Sequence, residues 1–200
     1  VLFIAEGRSL VLVATDGNRL AHAQATLEAE IPRQEVILPR KTVLELQRLL
    51  RDDKEDETKP IEIRFASNQA KFSFNGMEFV SKLVEGKFPD YNRVIPRQHK
   101  NHFSIDSATF LASLQRTAIL TSEKFKGVRV NLEPGLLRIA SSNAEQEEAT
   151  EELEIDYAGD NIEIGFNVTY LIDVLTNMSD CPVFKVELQD SNSSALLTLP

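Results

Sequence analysis

The sequence predicts an α+β protein. Short segments that alternate apolar with polar residues dominate it, hairpin-type turn residues separate them, and three longer segments switch to helical spacing. Taken in order, strands are expected over Leu10–Ala14, Ile61–Phe65, Ala70–Phe74, Glu78–Leu83, Gly127–Leu132, Leu136–Ala140, Ile162–Phe166 and Phe184–Leu188. The turns between them are Glu6-Gly7, Asp16-Gly17-Asn18, Ser67-Asn68-Gln69, Asn75-Gly76 and Glu133-Pro134-Gly135. Asn75-Gly76, set between Phe72/Phe74 and Phe79, is the strongest hairpin signal. Helices are expected where the period changes to 3.6. Arg40–Leu50 aligns Val43, Leu46 and Leu50, with Leu44 beside them. Ser107–Leu120 aligns Phe110 or Leu111 with Leu114 and Ala118 behind an N-cap at Asp106 or Ser107. Val168–Met178 aligns Val168, Leu171, Ile172 and Leu175 behind Asn167.

An internal repeat organises these elements at an offset of about 125 residues, the length of a domain. Leu10–Ala14 resembles Leu136–Ala140, the strand and helix around Leu38–Leu50 resemble Phe166–Met178, and Ile61–Phe65 resembles Phe184–Leu188. The Ser107–Leu120 helix has no counterpart before Val1, and Met77–Leu83 has none after the last strand. The expectation is therefore one repeat and a fraction, divided at the polar, proline-marked stretch from Ile95 to Lys100.

Hydrophobic residues make up 42% of the 200 residues, enough for a packed core. The 22 Lys and Arg against 31 Asp and Glu give a net charge of −9, which on average disfavours nucleic acid. The charges are segregated, however. Arg40, Lys41, Arg48 and Arg51 face only Glu45 in their segment, whereas Glu145, Glu147, Glu148, Glu151, Glu152, Glu154, Asp156 and Asp160 run without an intervening base. A basic helix can thus touch phosphates while the rest of the surface stays acidic, and nothing near it suits base readout. The lone Cys181 cannot form an internal disulfide and points to a reducing, cytosolic setting. The opening Val1-Leu2-Phe3-Ile4 meets Glu6 and Arg8 at once, unlike a signal peptide, and starts inside an apolar strand as a native terminus would not.

No catalytic constellation is present: there is no G-x-S-x-G, P-loop, H-E-x-x-H, C-x-x-C or G-x-G-x-x-G. His22, His99 and His102 lack metal-ligand spacing, and the acidic run lacks the glycines and turn residues that fold oxygens around Ca²⁺. No enzyme activity, metal or cofactor is expected.

Six strings in collinear order carry a family resemblance. They are Val13-Ala14-Thr15-Asp16-Gly17-Asn18-Arg19-Leu20-Ala21, Leu38-Pro39-Arg40-Lys41, Ser81 to Tyr91, Glu123 to Arg129, Asn143 to Ala149 and Ile164 to Leu171. Together they resemble the beta subunit of bacterial DNA polymerase III, the sliding clamp. The resemblance implies a DNA-clamp fold of repeated domains, with antiparallel sheets outside and amphipathic helices facing a pore. Residues 1–97 would be the second domain without its first strand and helix, and 98–200 the third domain without its C-terminal segment. The function implied is that of a cytoplasmic processivity factor. Its full-length homodimer would encircle double-stranded DNA non-specifically and tether the DNA polymerase III alpha subunit, the clamp loader and repair polymerases through short peptide motifs.

Carried over by motif, the peptide-binding residues are Thr15, Gly17, Asn18, Arg19, Leu20, Pro89, Arg93, Val94, Phe125, Asn167, Tyr170, Asn192 and Ser194. Asn18 stands where the family often has His, and Asn192 where it often has an apolar residue. The DNA-facing candidates are Arg40, Lys41, Arg48, Arg51 and Arg116, and Glu147, Glu148 and Glu151 are the expected dimer-interface acids. Two other readings stand beside this one: an adaptor module that captures peptides but cannot close on DNA, and a Mg²⁺-dependent nuclease built on the acidic run.

Overall fold

The computed structural model describes residues 1–51, 60–97, 99–122, 124–178 and 180–200. They form a mixed α and β fold in two compact units, Val1–Tyr91 and Asn92–Pro200.

The first unit opens with a long antiparallel hairpin of β1 (Leu2–Thr15) and β2 (Leu20–Ile37), closed by the Asp16-Gly17-Asn18 turn. Their register shifts on both sides of Gly7, where the Glu6-Gly7 signal lies and where φ is 59°. The Arg8 guanidinium donates to the carbonyls of Leu27 (3.3 Å) and Glu28 (3.2 Å), so the side chain serves acceptors beside this irregularity. Helix α1 (Arg40–Arg51) follows, and then a sheet in the order β3-β4-β5 (Glu62–Phe65, Gln69–Phe74, Met77–Lys82). Asn75 and Gly76 both take positive φ (48° and 72°), the conformation of a type I′ turn, and Phe74 pairs with Met77 across it.

The core of this unit is Phe3, Leu38, Leu46, Ala70, Phe72 and Phe74. Helix α1 is rotated relative to the expected face. Leu44 and Leu50 are 47% and 39% exposed, while Thr42 is buried and Leu49 packs against the core beside Leu46. The Thr42 hydroxyl shares a 2.5 Å hydrogen bond with the Ser81 hydroxyl of β5. That satisfied polar contact draws the helix round, and apolar periodicity carries no trace of it.

The second unit holds two antiparallel sheets. One has the order β10-β7-β8-β9 (Ile162–Asn167, Gly127–Glu133, Leu136–Ser142, Glu148–Glu154), and the other β12-β11-β6 (Leu196–Thr198, Val183–Leu188, Asn101–Asp106). Helices α2 (Ser107–Ala118) and α3 (Val168–Asn177) pack against each other, α2 also against β6, β8 and β9, and α3 against β10. A single core cluster joins Val128, Val130, Leu132, Leu137, Ile139, Ile162 and Ile164 of the first sheet to Phe103, Ile105, Phe184, Val186 and Leu188 of the second through Phe110, Leu114, Val168, Leu171 and Leu175. Both helices start on side-chain caps. Asp106 accepts from Thr109 N (2.8 Å), and Asn167 from Thr169 N (2.9 Å). Ser113 and Thr117, fully buried on α2, are also paired, since Thr117 Oγ1 donates to Ser113 O and Ser141 Oγ donates to Thr117 O at 2.6 Å.

A polar latch holds the segment before β10 against β6. Buried Asn101 accepts from Asp160 N (3.0 Å) and donates to Gln189 O (3.4 Å), and buried Tyr157 donates to Asp160 O (2.6 Å). Gly159 sits inside it: a Cβ there would lie 2.5 Å from both Asn101 Oδ1 and Tyr157 Oη. The expected outcome for Gly159→Ala is a loss of roughly 1–3 kcal/mol in urea unfolding, the cost of overpacking a filled site. An unchanged midpoint would show that the latch yields freely.

Candidate nucleic-acid and peptide interfaces

The cations of α1 follow from its rotation. With Thr42, Leu46 and Leu49 turned inward, a spacing of 3.6 residues per turn places Arg40, Lys41 and Arg48 on the opposite, solvent-facing side, around exposed Leu44. The first turn carries no acid. Arg48 bonds Glu45 one turn back, with Nη2 at 2.5 Å from Oε1, and holds the Glu45 carboxyl below its ordinary range. Arg51 ends the helix, and its side chain lies outside the described residues.

Arg116 and Glu151, expected at different surfaces, meet each other. Arg116 Nε and Nη2 donate to Glu151 Oε1 and Oε2 at 2.7 and 2.6 Å, and Ser113 Oγ donates to Oε2 at 3.2 Å. Strand alternation explains the pairing. Along β9, Ala149, Glu151 and Leu153 face the helices, whereas Glu148, Thr150, Glu152 and Glu154 are exposed. On the exposed side Arg138 of β8 answers Glu152 directly across the pair, at 2.9 Å. Glu147 turns back on its own loop, its carboxylate accepting from Asn143 Nδ2 at 2.7 Å. Just past α2, Ile119 is 76% exposed, a large apolar side chain that the helical pattern had assigned no role.

The peptide-binding candidates lie on ordered loops and on the start of a helix. Thr15 to Arg19 are all exposed, yet every residue of the turn is tied. Thr15 Oγ1 donates to Arg19 O (2.8 Å) and accepts from Gly17 N (3.1 Å). Asp16 Oδ1 accepts from Asn18 N and Arg19 N (3.0 Å each), and Oδ2 accepts from Arg19 Nε (3.1 Å). Gly17 takes φ 89°, which a side chain would strain. Leu20 follows, half-buried, paired with Thr15 across the hairpin; Pro89 is exposed.

In the second unit Arg93 ends a short 3-10 turn (Tyr91–Arg93), and Val94 beyond it is 59% exposed. Phe125 is 71% exposed, with the Lys124 ammonium 5.5 Å from its ring centre. Its loop is fixed by Ser122 Oγ, which accepts from Phe125 N (2.9 Å), and Lys126 O accepts from Val168 N (2.7 Å). The structure thus brings the Phe125 loop to the start of α3, where Asn167 caps the helix and Tyr170 is half-buried. Asn192 and Ser194 are exposed after β11, on a loop held by Asp190, whose Oδ1 accepts from Asn192 N and Ser193 N at 2.8 Å each. Backbone N–H donors hold the carboxyls of both Asp16 and Asp190 below the ordinary aspartate range.

Comparison with known proteins assigns both units to one family. Residues 1–90 match the family model of the DNA polymerase III beta subunit, central domain, and residues 92–200 that of its C-terminal domain. The beta sliding clamp of Vibrio cholerae is 42% identical over 197 residues, covering 98% of this chain and 52% of the relative. That of Salmonella typhimurium is 44% identical over 194 residues, covering 97% and 52%. Among solved structures, the DNA polymerase III subunit beta of Pseudomonas aeruginosa superposes with a TM-score of 0.93 at 42% identity, covering 100% of this chain and 54% of its own. The chain therefore spans about half the length of the relatives it matches.

The Arg116–Glu151 contact makes a pH-dependent contribution of known sign. The hydrogen bonds from Arg116 hold Glu151 below the ordinary glutamate value, so the contact stabilises fully above about pH 4.3 and is lost as pH falls through the lower folded-state value. In thermal melts at pH 7 and pH 3, Glu151→Gln is expected to lower Tm at pH 7 and to lose less Tm on acidification than the wild type. Equal losses would show that this carboxylate carries no linkage.

Proposed function

This chain belongs to the DNA polymerase III beta subunit family, and from that premise we propose that it is part of a sliding clamp. The whole protein would act in the cytoplasm as a homodimeric ring around duplex DNA, a scaffold rather than a catalyst. It would tether the replicative polymerase alpha subunit, the clamp loader and repair polymerases through short peptides. The collinear match of both units to the central and C-terminal domains of the family, at a TM-score of 0.93 over the full chain, supports this reading most strongly.

The surfaces fit these roles in different degrees. Arg40, Lys41 and Arg48, presented together on the outer face of α1, supply the DNA contact with Arg51, and loose charge contacts to phosphates leave a ring free to slide. Arg116 is a secondary contributor, because its guanidinium is already engaged by Glu151. For the subunit contact, Glu148 is exposed, Glu147 is exposed with its carboxylate also held by Asn143, and Glu151 contributes less because Arg116 and Ser113 already engage it. Ile119, exposed at the end of α2, offers an apolar side chain for the same contact, and rim charges add steering more than affinity.

Peptide capture needs apolar anchors framed by a few directed polar groups. Leu20, Val94, Phe125 and Tyr170 provide the first, and Thr15, Gly17, Asn18, Arg19, Pro89, Arg93, Asn167, Asn192 and Ser194 provide the frame. Fluorescence anisotropy with a labelled peptide ending in Leu-Phe tests this in the full-length protein. Leu20→Ala and Tyr170→Ala are each expected to weaken binding by about ten-fold, the effect of losing an interface anchor. Unchanged affinity in both variants would remove the assignment.

A further inference from the structure

We propose that Asp16 and Asp190 are positioning residues for peptide capture, each holding one of the two loops that present the polar capture groups. This rests on the peptide-binding reading above. The two carboxylates do the same thing in different units: one oxygen of each accepts two successive backbone N–H groups, from Asn18 and Arg19 at 3.0 Å and from Asn192 and Ser193 at 2.8 Å. In each loop the residues so held include those assigned to the peptide, namely Asn18 and Arg19 in one and Asn192 in the other.

In the first loop Asp16 acts beside Thr15, whose Oγ1 donates to Arg19 O and accepts from Gly17 N but leaves the Asn18 and Arg19 N–H groups to the carboxylate. In the second the Asn192 and Ser193 N–H groups are held by Asp190. Thr15 to Arg19 are all exposed, as are Asp190, Ser191, Asn192 and Ser194, and the second loop meets the core only at its end, through Ala195. A loop free in the unbound protein must be ordered when the ligand arrives, and that cost is subtracted from affinity. Here a carboxylate has ordered each loop beforehand. Asp16 does more, since its second oxygen also takes Arg19 Nε at 3.1 Å and thereby aims the guanidinium. Both carboxylates stand outside the two core clusters, so they shape the loops without supporting the fold.

The test measures Kd for the labelled Leu-Phe peptide and Tm in parallel, on full-length protein. Asp16→Ala and Asp190→Ala are each expected to raise Kd by about five- to ten-fold, with Tm within about 2 °C of wild type. Asparagine keeps an oxygen that accepts the same N–H groups. Asp190→Asn should therefore restore Kd to within about two-fold, and Asp16→Asn should restore it in part, its amide NH2 being unable to accept from Arg19. Alanine variants that bind like wild type, a Tm that falls in step with affinity, or an Asp190→Asn that fails to rescue would each overturn the proposal. Failure of the wild-type protein to bind the peptide would instead overturn the peptide-binding reading beneath it.

Discussion

Burial of only one face of the β10-β7-β8-β9 sheet governs the second unit. Val128, Val130, Leu132, Leu137, Ile139, Ile162 and Ile164 all point toward α2 and α3, and strict alternation then sends Arg129, Arg138, Glu152 and Glu163 to the other side. A slip of one residue anywhere in the ladder would exchange these sets, placing charges in the core and the apolar row in water. The outer face is consequently charged in cross-strand rows, and the helices present their outward sides to whatever meets the molecule. In the first unit the same economy of one buried face turns the cations of α1 outward.

The edge strand shows how charge is accommodated by this constraint. β9 pairs only with β8 among the described strands, and a free edge invites pairing with another chain. Its residues are mostly acidic, which discourages indiscriminate association. One of them, Glu151, cannot face outward because alternation forbids it. Arg116 and Ser113 on α2 meet it there, converting a buried-side charge into a fastening between helix and strand. An acid to which the family resemblance gives an interface role thus also has a partner within its own domain.

Much of this was legible in the sequence where the physics is local. The Asn75-Gly76 turn, the caps at Asp106 and Asn167, and the strands of alternating Val, Ile and Leu depend on neighbouring residues alone. What was missed depends on tertiary partners. β2 hides because alanines occupy alternate positions in Leu20 to Ala25, and alanine gives little strand signal; β9 hides because glutamates fall on both faces. β6 shows only Phe103 and Ile105, and β12 is three residues long. The rotation of α1 depends on Ser81, and the Arg116–Glu151 pair spans a strand and a helix distant in the chain. The family, by contrast, was legible only as a collinear set of strings, none of which is specific when taken alone.

The central claim is that these domains serve a ring that holds DNA topologically rather than by tight contacts. It is tested most directly by loading the full-length protein onto nicked circular DNA, then washing at high salt before and after linearising the circle. The account predicts retention on the circle and release from the linear form, since salt removes phosphate contacts but not encirclement. Equal loss from both forms, or equal retention on both, would contradict it.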